Sequence, residues 1–371
     1  MPLRARKADP DSPRTAPVPS PAPRRGRGAV TNPPPRHEPV HAEAFEDGWE
    51  LDAPAPLETE VMLERPRTII TRNDSPDIAF DRSVNPYRGC EHGCAYCFAR
   101  PSHAYLGLSS GLDFETKLTA RPSAPELLAR ELAAPGYRPA TIALGSNTDP
   151  YQPVERRFRI TRGVLDVLRQ HNHPVGIVTK SGLVTRDLDL LTAMADRQLA
   201  KVAISLGTLD PELARRMEPR APTPAKRLAT IRVLAEAGIP VSVLVAPVVP
   251  GLNDHEIEEI CQAASAAGAR EAGYGLLRLP HDLKAVMRDW LTAHYPDRAA
   301  RVLSLVEDTR GGRLNDSAFG QRQTGAGPYA WMIGRRFEAA CARFGLNRRR
   351  LDLRTDLFAV PGRELGQLTL F

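Results

Sequence analysis

The chain has 371 residues, of which 42% are apolar and 25% are charged, a balance typical of water-soluble globular proteins. A chain of this length can form one large α/β domain with extensions. No stretch approaches the roughly 18 consecutive apolar residues of a membrane-spanning helix, which argues against a membrane protein, and we expect a cytoplasmic location. The formal net charge of +6 is unevenly distributed.

Residues 1–60 differ in composition from the rest of the chain. They are rich in Pro, Arg and Ala and poor in aromatic and β-branched residues. Residues 1–40 hold eight Lys or Arg and three Asp or Glu, whereas residues 41–60 hold seven acidic residues and no Lys or Arg. Such a segment buries too little apolar surface to offset the entropy lost on ordering, so we predict a disordered tail over residues 1–60.

Three of the five cysteines lie within eight residues, as Cys90, Cys94 and Cys97 in a C-x3-C-x2-C loop. Three thiolates can hold three irons of a [4Fe–4S] cluster and leave the fourth iron open for a substrate or cofactor. A cluster that only carries electrons normally has four protein ligands, so three ligands indicate catalysis.

A structural zinc ion is the main alternative for this loop, with His92 or His103 as a fourth ligand. Structural zinc sites usually pair two close cysteines with a second, distant pair, and Cys261 and Cys341 do not form one. Disulfide bonds fit less well, because the cysteine count is odd and the first residues lack the apolar stretch of a secretory signal. We therefore favour an iron–sulfur cluster.

From about residue 76 onward, strand and helix patterns alternate. Apolar segments that predict strands lie immediately before Cys90 and at residues 140–145, 175–179, 201–206, 241–246 and 272–279. Helix start signals lie between them at Ser123, Asp210 and Thr223. Six strands separated by helices indicate parallel βαβ units, which fit either a partial barrel or an open doubly wound sheet.

Polar residues follow three of these strands. They lie at residues 145–151 (Gly-Ser-Asn-Thr-Asp-Pro-Tyr), 179–181 (Thr-Lys-Ser) and 205–208 (Ser-Leu-Gly-Thr). In parallel barrels the active-site groups gather at the carboxyl ends of the strands. Lys180 emerges from a buried strand, where its charge would be costly without an anion, and a carboxylate is a suitable partner. The serines are equally consistent with ordinary loop capping.

The cysteine loop resembles the cluster signature of the radical S-adenosylmethionine (SAM) superfamily, including the aromatic Tyr96 before the third cysteine. The three polar segments resemble those of its spore photoproduct lyase branch, also described as DNA repair photolyase-like. This resemblance implies a partial (β/α)6 barrel of the TIM type over residues 76–284, with the cluster loop after the first strand. It also implies a [4Fe–4S] cluster and SAM as cofactors, and a 5'-deoxyadenosyl radical that abstracts hydrogen from a substrate.

The same resemblance assigns roles to individual residues. The metal ligands would be Cys90, Cys94 and Cys97, and the SAM contacts would be Tyr96, Ser146, Lys180 and Ser205. Enzymes of this superfamily need an external one-electron donor, so the resemblance implies such a partner. The catalytic residue that would contact the substrate is not indicated.

The chain departs from the branch at one informative position. Spore photoproduct lyases carry a hydrogen-donating cysteine two residues before the first of these serines, where this chain has Leu144. We therefore do not predict thymine-dimer repair. Cys261 and Cys341 lie in helical patterns outside this motif, and we predict that both are small buried apolar residues.

The C-terminal part predicts a helical extension over residues 285–350 and a tail over residues 351–371. Basic residues are concentrated at 335–354, where seven arginines face only Glu338 and Asp352. A face of this density suits the phosphate backbone of nucleic acid, although a solvated helix end is the alternative.

The last five residues, Gln-Leu-Thr-Leu-Phe at 367–371, match the short peptide by which bacterial proteins bind the DNA sliding clamp. The alternative is a tail that folds back on its own core. Taken together, the sequence favours a radical SAM enzyme that acts on an unidentified substrate, with nucleic acid preferred. The alternative function is a DNA-associated iron–sulfur factor that the clamp recruits and that does not carry out radical turnover.

Overall fold

The computed structural model describes residues 23–37 and 57–362. Residues 1–22, 38–56 and 363–371 lie outside the described residues, and so does the predicted clamp-binding peptide at 367–371. None of the helices in the described part is long and apolar enough to cross a membrane.

The strands of the described residues form a larger and a smaller sheet. In chain order they are β1 (Glu60–Leu63), β2 (Ile70–Arg72), β3 (Arg82–Val84), β4 (Tyr87–Arg88), β5 (Lys117–Ala120), β6 (Ile142–Leu144), β7 (Val175–Thr179), β8 (Ala200–Ser205), β9 (Val241–Val248) and β10 (Glu271–Leu276). The larger sheet has the order β10-β9-β8-β7-β6-β3-β2, and the smaller has the order β1-β5-β4. All neighbours in the larger sheet are parallel except β2 and β3.

The six parallel strands β3 and β6 to β10 confirm the predicted partial (β/α)6 barrel. The sequences of β6, β7 and β9 are nearly continuous apolar runs because helices cover one face of the sheet and side chains of the barrel interior cover the other. The predicted strand at 175–179 is observed at Val175–Thr179, and the one predicted at 241–246 continues to Val248. The proline at position 247 therefore does not end β9.

Helices connect the strands and extend the chain after β10. In chain order they are α1 (Asp113–Thr116), α2 (Ala124–Leu132), α3 (Glu155–Phe158), α4 (Ile160–Gln170), α5 (Leu188–Ala195), α6 (Pro211–Met217), α7 (Pro224–Glu236), α8 (Ile257–Ala266), α9 (Leu283–His294), α10 (Pro296–Asp308) and α11 (Gly327–Phe344). Short 3-10 helices occupy Arg100–Leu106, Gly182–Asp187 and Asp254–Glu256.

Two of the three predicted helix caps are made. The Asp210 side chain accepts a hydrogen bond from the Glu212 amide at the start of α6, and Thr223 accepts one from the Lys226 amide at the start of α7. The expected cap at Ser123 is wrong: α2 begins directly after this residue, but the Ser123 hydroxyl is buried without a hydrogen-bond partner in the described structure. Its backbone is not in the extended conformation that a capping side chain requires.

The helices α8 and α11 pack against each other beside β9 and β10. Cys261 on α8 and Cys341 on α11 are both buried in this contact, as predicted for small apolar residues. The extension after β10 is joined to the barrel by the buried Arg310, which donates hydrogen bonds to the carbonyls of Leu276, Leu277, Gln321 and Arg322. The helical extension thus closes one side of the barrel rather than forming a separate unit.

Residues 23–37 depart from the expectation of a disordered tail. Ala29 and Val30 are 1% and 4% exposed, and the Gly28 and Ala29 amides both donate to the buried carboxylate of Glu115 at 3.0 and 2.7 Å. We call residues 26–33 the strap. It lies against the cysteine loop, where Ala29 and Val30 pack in one buried cluster with Cys94 and Tyr96. The amino-acid composition did not predict the strap. A few backbone hydrogen bonds to one distant carboxylate leave no periodic pattern of apolar residues in the sequence.

Candidate functional site

A cavity of about 530 Å³ lies at the carboxyl ends of the parallel strands. The structure brings all seven residues that the sequence singled out to its wall: Cys90, Cys94, Tyr96, Cys97, Ser146, Lys180 and Ser205. These residues come from the loop after β4 and from the ends of β6, β7 and β8. They are therefore collected by the parallel strand order, which directs every carboxyl end to the same side of the barrel.

The cysteine loop is held by buried polar side chains. Arg100 is fully buried; it donates to the Cys94 carbonyl at 2.8 Å and forms an ion pair with Glu115, which is also fully buried. On the other side, the Gln152 side chain accepts from the Glu91 amide and donates to the Gly89 carbonyl. These contacts satisfy the backbone groups of an irregular buried loop and hold it in a defined conformation.

The three thiols are free and sit in low-dielectric surroundings. Cys90 and Cys94 are buried, and Cys97 is partly exposed toward the cavity. Burial raises the pKa of Cys94 to about 12 and also raises the pKa of Cys90. Thiols in such surroundings ionise only when a cation compensates them, and iron ions supply this charge. The residues present therefore fit an iron–sulfur cluster.

The zinc alternative needs four ligands around one ion, with His92 or His103 beside the three cysteines. His103, one of its proposed ligands, instead lies with Nε2 2.9 Å from the Lys117 carbonyl.

A buried charge network surrounds Lys180. Its ammonium lies 5.8 Å from the centre of the Tyr96 ring, and the Tyr96 hydroxyl donates to Glu218. Burial alone would lower the pKa of Lys180, but Cys94 and Glu218 raise it above its usual value. Glu218 is in turn paired with Arg227, and both side chains are at most 4% exposed. Lys180 therefore stays charged and faces the cavity next to the cysteine loop.

The network also sets the state and position of Tyr96 and Ser205. Burial raises the pKa of Tyr96 far above its usual value, so the phenol stays protonated and its hydroxyl donates a hydrogen bond to Glu218. Arg227 donates to the Ser205 carbonyl at 3.0 Å, and the Ser205 hydroxyl lies 3.3 Å from the Ala246 carbonyl. Nothing in the sequence indicated that Arg227 would be buried at this site, since an arginine on a helix is usually solvated.

The turn after β6 is positioned by Asp149. This carboxylate accepts hydrogen bonds from the Thr179 hydroxyl at 2.7 Å and the Lys180 amide at 2.8 Å, and it lies 3.3 Å from His92 Nδ1. Burial alone would raise the pKa of Asp149, but His92 and these hydrogen bonds lower it to about 2. Asp149 thereby joins the turn that carries Ser146, the end of β7 and the cysteine loop.

Gly145 permits the close approach of this turn to β7. Its φ is +88°, and a Cβ at this position would lie 2.0 Å from the Val178 carbonyl oxygen. Any other residue would therefore push the turn away from the strand. Backbone geometry thus explains why position 145 of the 145–151 segment is a glycine.

The far wall of the cavity carries a separate pair of cations. Arg278 lies over the Phe98 ring at 4.6 Å, and Arg322 is paired with Asp77 at the rim. Burial lowers the pKa of Arg278, and the nearby Arg322 lowers it further. Among the described residues, Arg278 forms no ion pair, so its guanidinium is free to meet an anionic or carbonyl group in the cavity.

Leu144 does not line this cavity. It is fully buried in the apolar core at the end of β6, and the described residues that line the cavity include no thiol other than those of the three loop cysteines. The structure therefore provides no hydrogen-donating cysteine where the branch has one.

Comparison with known proteins identifies the superfamily. The sequence model of the Radical SAM superfamily matches residues 84–264, which contain the cysteine loop and strands β6 to β9. The chain belongs to the radical SAM superfamily. It is accordingly a radical SAM enzyme, with a [4Fe–4S] cluster and SAM as cofactors.

Relatives of this radical SAM chain occur in bacteria and archaea. An uncharacterized protein of Mycobacterium bovis is 39% identical over 230 residues, which cover 62% of this chain and 68% of that protein. An uncharacterized protein of Methanocaldococcus jannaschii is 27% identical over 173 residues, covering 47% of this chain and 62% of that protein.

Solved structures of spore photoproduct lyase share the radical SAM fold. A variant of that enzyme superposes with a TM-score of 0.57 over 77% of this chain and 80% of the lyase, at 16% sequence identity. Its complex with a dinucleoside spore photoproduct gives a TM-score of 0.56 over the same shares and at the same identity. At this identity the likeness concerns the fold alone.

Proposed function

We propose that this radical SAM enzyme binds its [4Fe–4S] cluster through Cys90, Cys94 and Cys97 and acts on a nucleic-acid substrate. One observation carries the proposal: the three cysteines and the four candidate SAM contacts line the same cavity. These contacts are Tyr96, Ser146, Lys180 and Ser205. Residues separated by more than a hundred positions converge there at the carboxyl ends of parallel strands, where barrel enzymes hold their active sites.

The chemistry that the bound cofactors supply at this site is one-electron cleavage of SAM and hydrogen abstraction by the resulting 5'-deoxyadenosyl radical. The chain's own residues bind and orient the cofactors and exclude water from them. Lys180 offers an ammonium group to the carboxylate of SAM, and Tyr96 offers a ring that Glu218 holds in place. The buried loop and the strap keep solvent away from the cysteines.

Two observations support nucleic acid as the substrate class. Arg278 and Arg322 lie on the cavity wall beside the exposed Phe98 ring, a combination that suits a phosphate and a stacked base. In addition, a spore photoproduct lyase of the same fold has been solved with a dinucleoside spore photoproduct. The proposal does not extend to thymine-dimer repair, because Leu144 is buried away from the cavity and cannot return a hydrogen atom.

Anaerobic reconstitution with iron and sulfide, followed by reduction in the presence of SAM, tests the enzymatic part. We expect release of 5'-deoxyadenosine by the wild type and at least a 100-fold loss, about 3 kcal/mol, for Cys94→Ala. Cys261→Ala is the matched control, because Cys261 is buried outside the cavity and should leave the product yield unchanged. Equal yields from wild type and Cys94→Ala would reject the ligand assignment.

Deuterium-labelled oligonucleotides test the substrate class separately. If nucleic acid is the substrate, deuterium from the sugar or base should appear in 5'-deoxyadenosine, as detected by mass spectrometry. Formation of unlabelled 5'-deoxyadenosine with both DNA and RNA probes would reject nucleic acid as the hydrogen source while leaving the enzymatic assignment intact.

We also propose recruitment by the bacterial DNA sliding clamp through Gln367–Phe371, on the basis of the sequence motif. Three apolar side chains in a groove, less the cost of ordering the tail, correspond to a Kd of about micromolar. Deletion of 367–371 should abolish binding of purified clamp in surface plasmon resonance, whereas Thr369→Ala, at the unspecified position of the motif, should retain it. Clamp binding that survives the deletion would reject this partner assignment.

The clamp measurement also separates the two candidate functions. A chain that binds the clamp but releases no 5'-deoxyadenosine after reconstitution would be a DNA-associated iron–sulfur factor without radical turnover. A chain that does both would be a clamp-recruited radical SAM enzyme.

A further inference from the structure

A second cavity lies at the opposite end of the barrel. This cavity, of about 840 Å³, is formed between the residues that precede β8, β9 and β10 and the chain segment 345–354 that follows α11. Five arginines line it: Arg270, Arg348, Arg349, Arg350 and Arg354. We call it the arginine cleft.

The segment that forms the outer wall of the cleft is fixed to the sheet. The Asn347 amide donates to the Arg270 carbonyl at 2.9 Å, and the Asn347 side chain exchanges two hydrogen bonds with the backbone of Ala272. Farther along, the Leu351 amide donates to Glu271 at 2.7 Å and the Arg354 amide donates to the Gln198 carbonyl at 2.9 Å. Four of the five arginines are thus presented by an anchored segment, and residues 351–354 differ in this respect from the tail that the sequence predicted.

The cleft carries excess positive charge. Arg350 is paired with Asp352, and Arg354 with Asp356, the two carboxylates nearest to them. Arg270, Arg348 and Arg349 are exposed, and none of them forms an ion pair with any residue in the described part of the chain. Three guanidinium groups therefore face solvent without a counterion from the protein.

The cleft and the cofactor cavity are separated by the full length of the strands. Gln198 precedes β8, whereas Ser205 ends it; Arg270 precedes β10, whereas Leu276 ends it. Each of these strands has six residues, which span about 20 Å at about 3.3 Å per residue. The arginines cannot contact a group that reacts in the cofactor cavity.

We propose that the arginine cleft binds the phosphodiester backbone of a nucleic acid and serves as a docking site distinct from the active site. Guanidinium groups match phosphate oxygens in a bidentate manner, and three of them around one anchored cleft can contact successive phosphates. Backbone contacts of this kind give affinity without base specificity. The proposal concerns binding alone, so it does not depend on radical chemistry or on which molecule supplies hydrogen.

Fluorescence anisotropy with a labelled single-stranded DNA of mixed sequence, and with its RNA counterpart, tests the cleft. The test variant is R270A/R348A/R349A. The control is R288A/R298A/R301A, which removes the same charge from exposed positions on α9 and α10. Each phosphate contact contributes about 0.7 to the salt slope of single-strand binding, so the test variant should lose about two from the slope and on the order of 100-fold in affinity at about 0.1 M salt.

The control variant should keep both the affinity and the slope of the wild type, and both variants should release 5'-deoxyadenosine at the wild-type rate without nucleic acid. Equal loss in the test and control variants would overturn the proposal, because total charge and not the cleft would then explain binding. No binding of either oligonucleotide by the wild type would also overturn it. Binding of phosphatidylglycerol vesicles that exceeds oligonucleotide binding and requires the same arginines would assign the cleft to a membrane surface instead.

The charge-reversal variant R348E/R349E gives an independent check. Both side chains are exposed, so the variant should fold, which its thermal melting curve and iron content can verify. It should bind oligonucleotides more weakly than the triple alanine variant does, because it adds repulsion between the cleft and phosphate. Wild-type affinity in a folded R348E/R349E variant would contradict the proposed site.

Discussion

Lys180 places an ammonium group on the wall of the cofactor cavity. A buried ammonium is costly unless anions compensate it, and here the carboxylate of Glu218 and the thiolate form of Cys94 raise its pKa. Glu218 already has the buried Arg227 as its ion-pair partner, and Lys180 forms no ion pair with any carboxylate in the described part of the chain. The ammonium therefore has the capacity to bind a further anion in the cavity.

Replacement of Lys180 by methionine should weaken SAM binding by about 10- to 100-fold, because a charge-assisted hydrogen bond contributes about 1.5–3 kcal/mol. Isothermal titration of SAM into anaerobically reconstituted protein measures this loss, and the visible absorbance should show that the cluster is retained. Lys201→Met is the control: Lys201 lies on the next strand but pairs with Glu271, so SAM affinity should not change. Equal SAM affinities of the two variants would contradict the assignment of Lys180 as a SAM contact.

At the scale of elements, the cysteine loop depends on segments that are distant in the sequence. Glu115 links Arg100, which supports the loop from inside, to the strap, which covers it from outside. The contact is close: a Cβ on Gly28 would lie 1.6 Å from the Gly93 carbonyl oxygen. Since both groups belong to the backbone, neither can move aside without displacing a whole segment.

Gly28→Ala should therefore lift the strap and leave Glu115 without two hydrogen bonds, at a cost of about 1–3 kcal/mol. We expect tryptic cleavage after Arg27 to accelerate on the order of 10-fold and the cluster absorbance to bleach faster in air. Gly176→Ala is the matched control, because a Cβ there has ordinary contact at 3.8 Å. Unchanged cleavage and bleaching in Gly28→Ala would show that the strap does not protect the loop.

At the scale of the whole molecule, the barrel separates two charged cavities. The carboxyl ends of the strands hold the cysteines and Lys180, and the amino ends face the arginine cleft. The concentration of arginine at 335–354 predicted a phosphate-binding face but not its position. Because the chain crosses the amino ends of the strands after α11, this face lies away from the proposed active site, and its binding can be altered without altering the chemistry.

The parts of the fold that were predicted depend on local patterns. Strand β7 was predicted at its observed bounds because an apolar run between turn signals is a property of adjacent residues. The cap at Ser123 was wrong because its sequence satisfied the capping pattern while its backbone took another conformation. The strap was missed because its hydrogen bonds run to Glu115, 87 and 86 residues away.

The sequence by itself determined the class of chemistry, because three cysteines in eight residues and polar residues after three strands carry that information within short segments. Only the tertiary structure decided which buried partners hold these groups. Tyr96 meets Glu218 across 122 residues, and no local pattern can specify such a contact. The same holds for the arginine cleft, whose position follows from the path of the chain around the barrel and not from the composition of the segment that forms it.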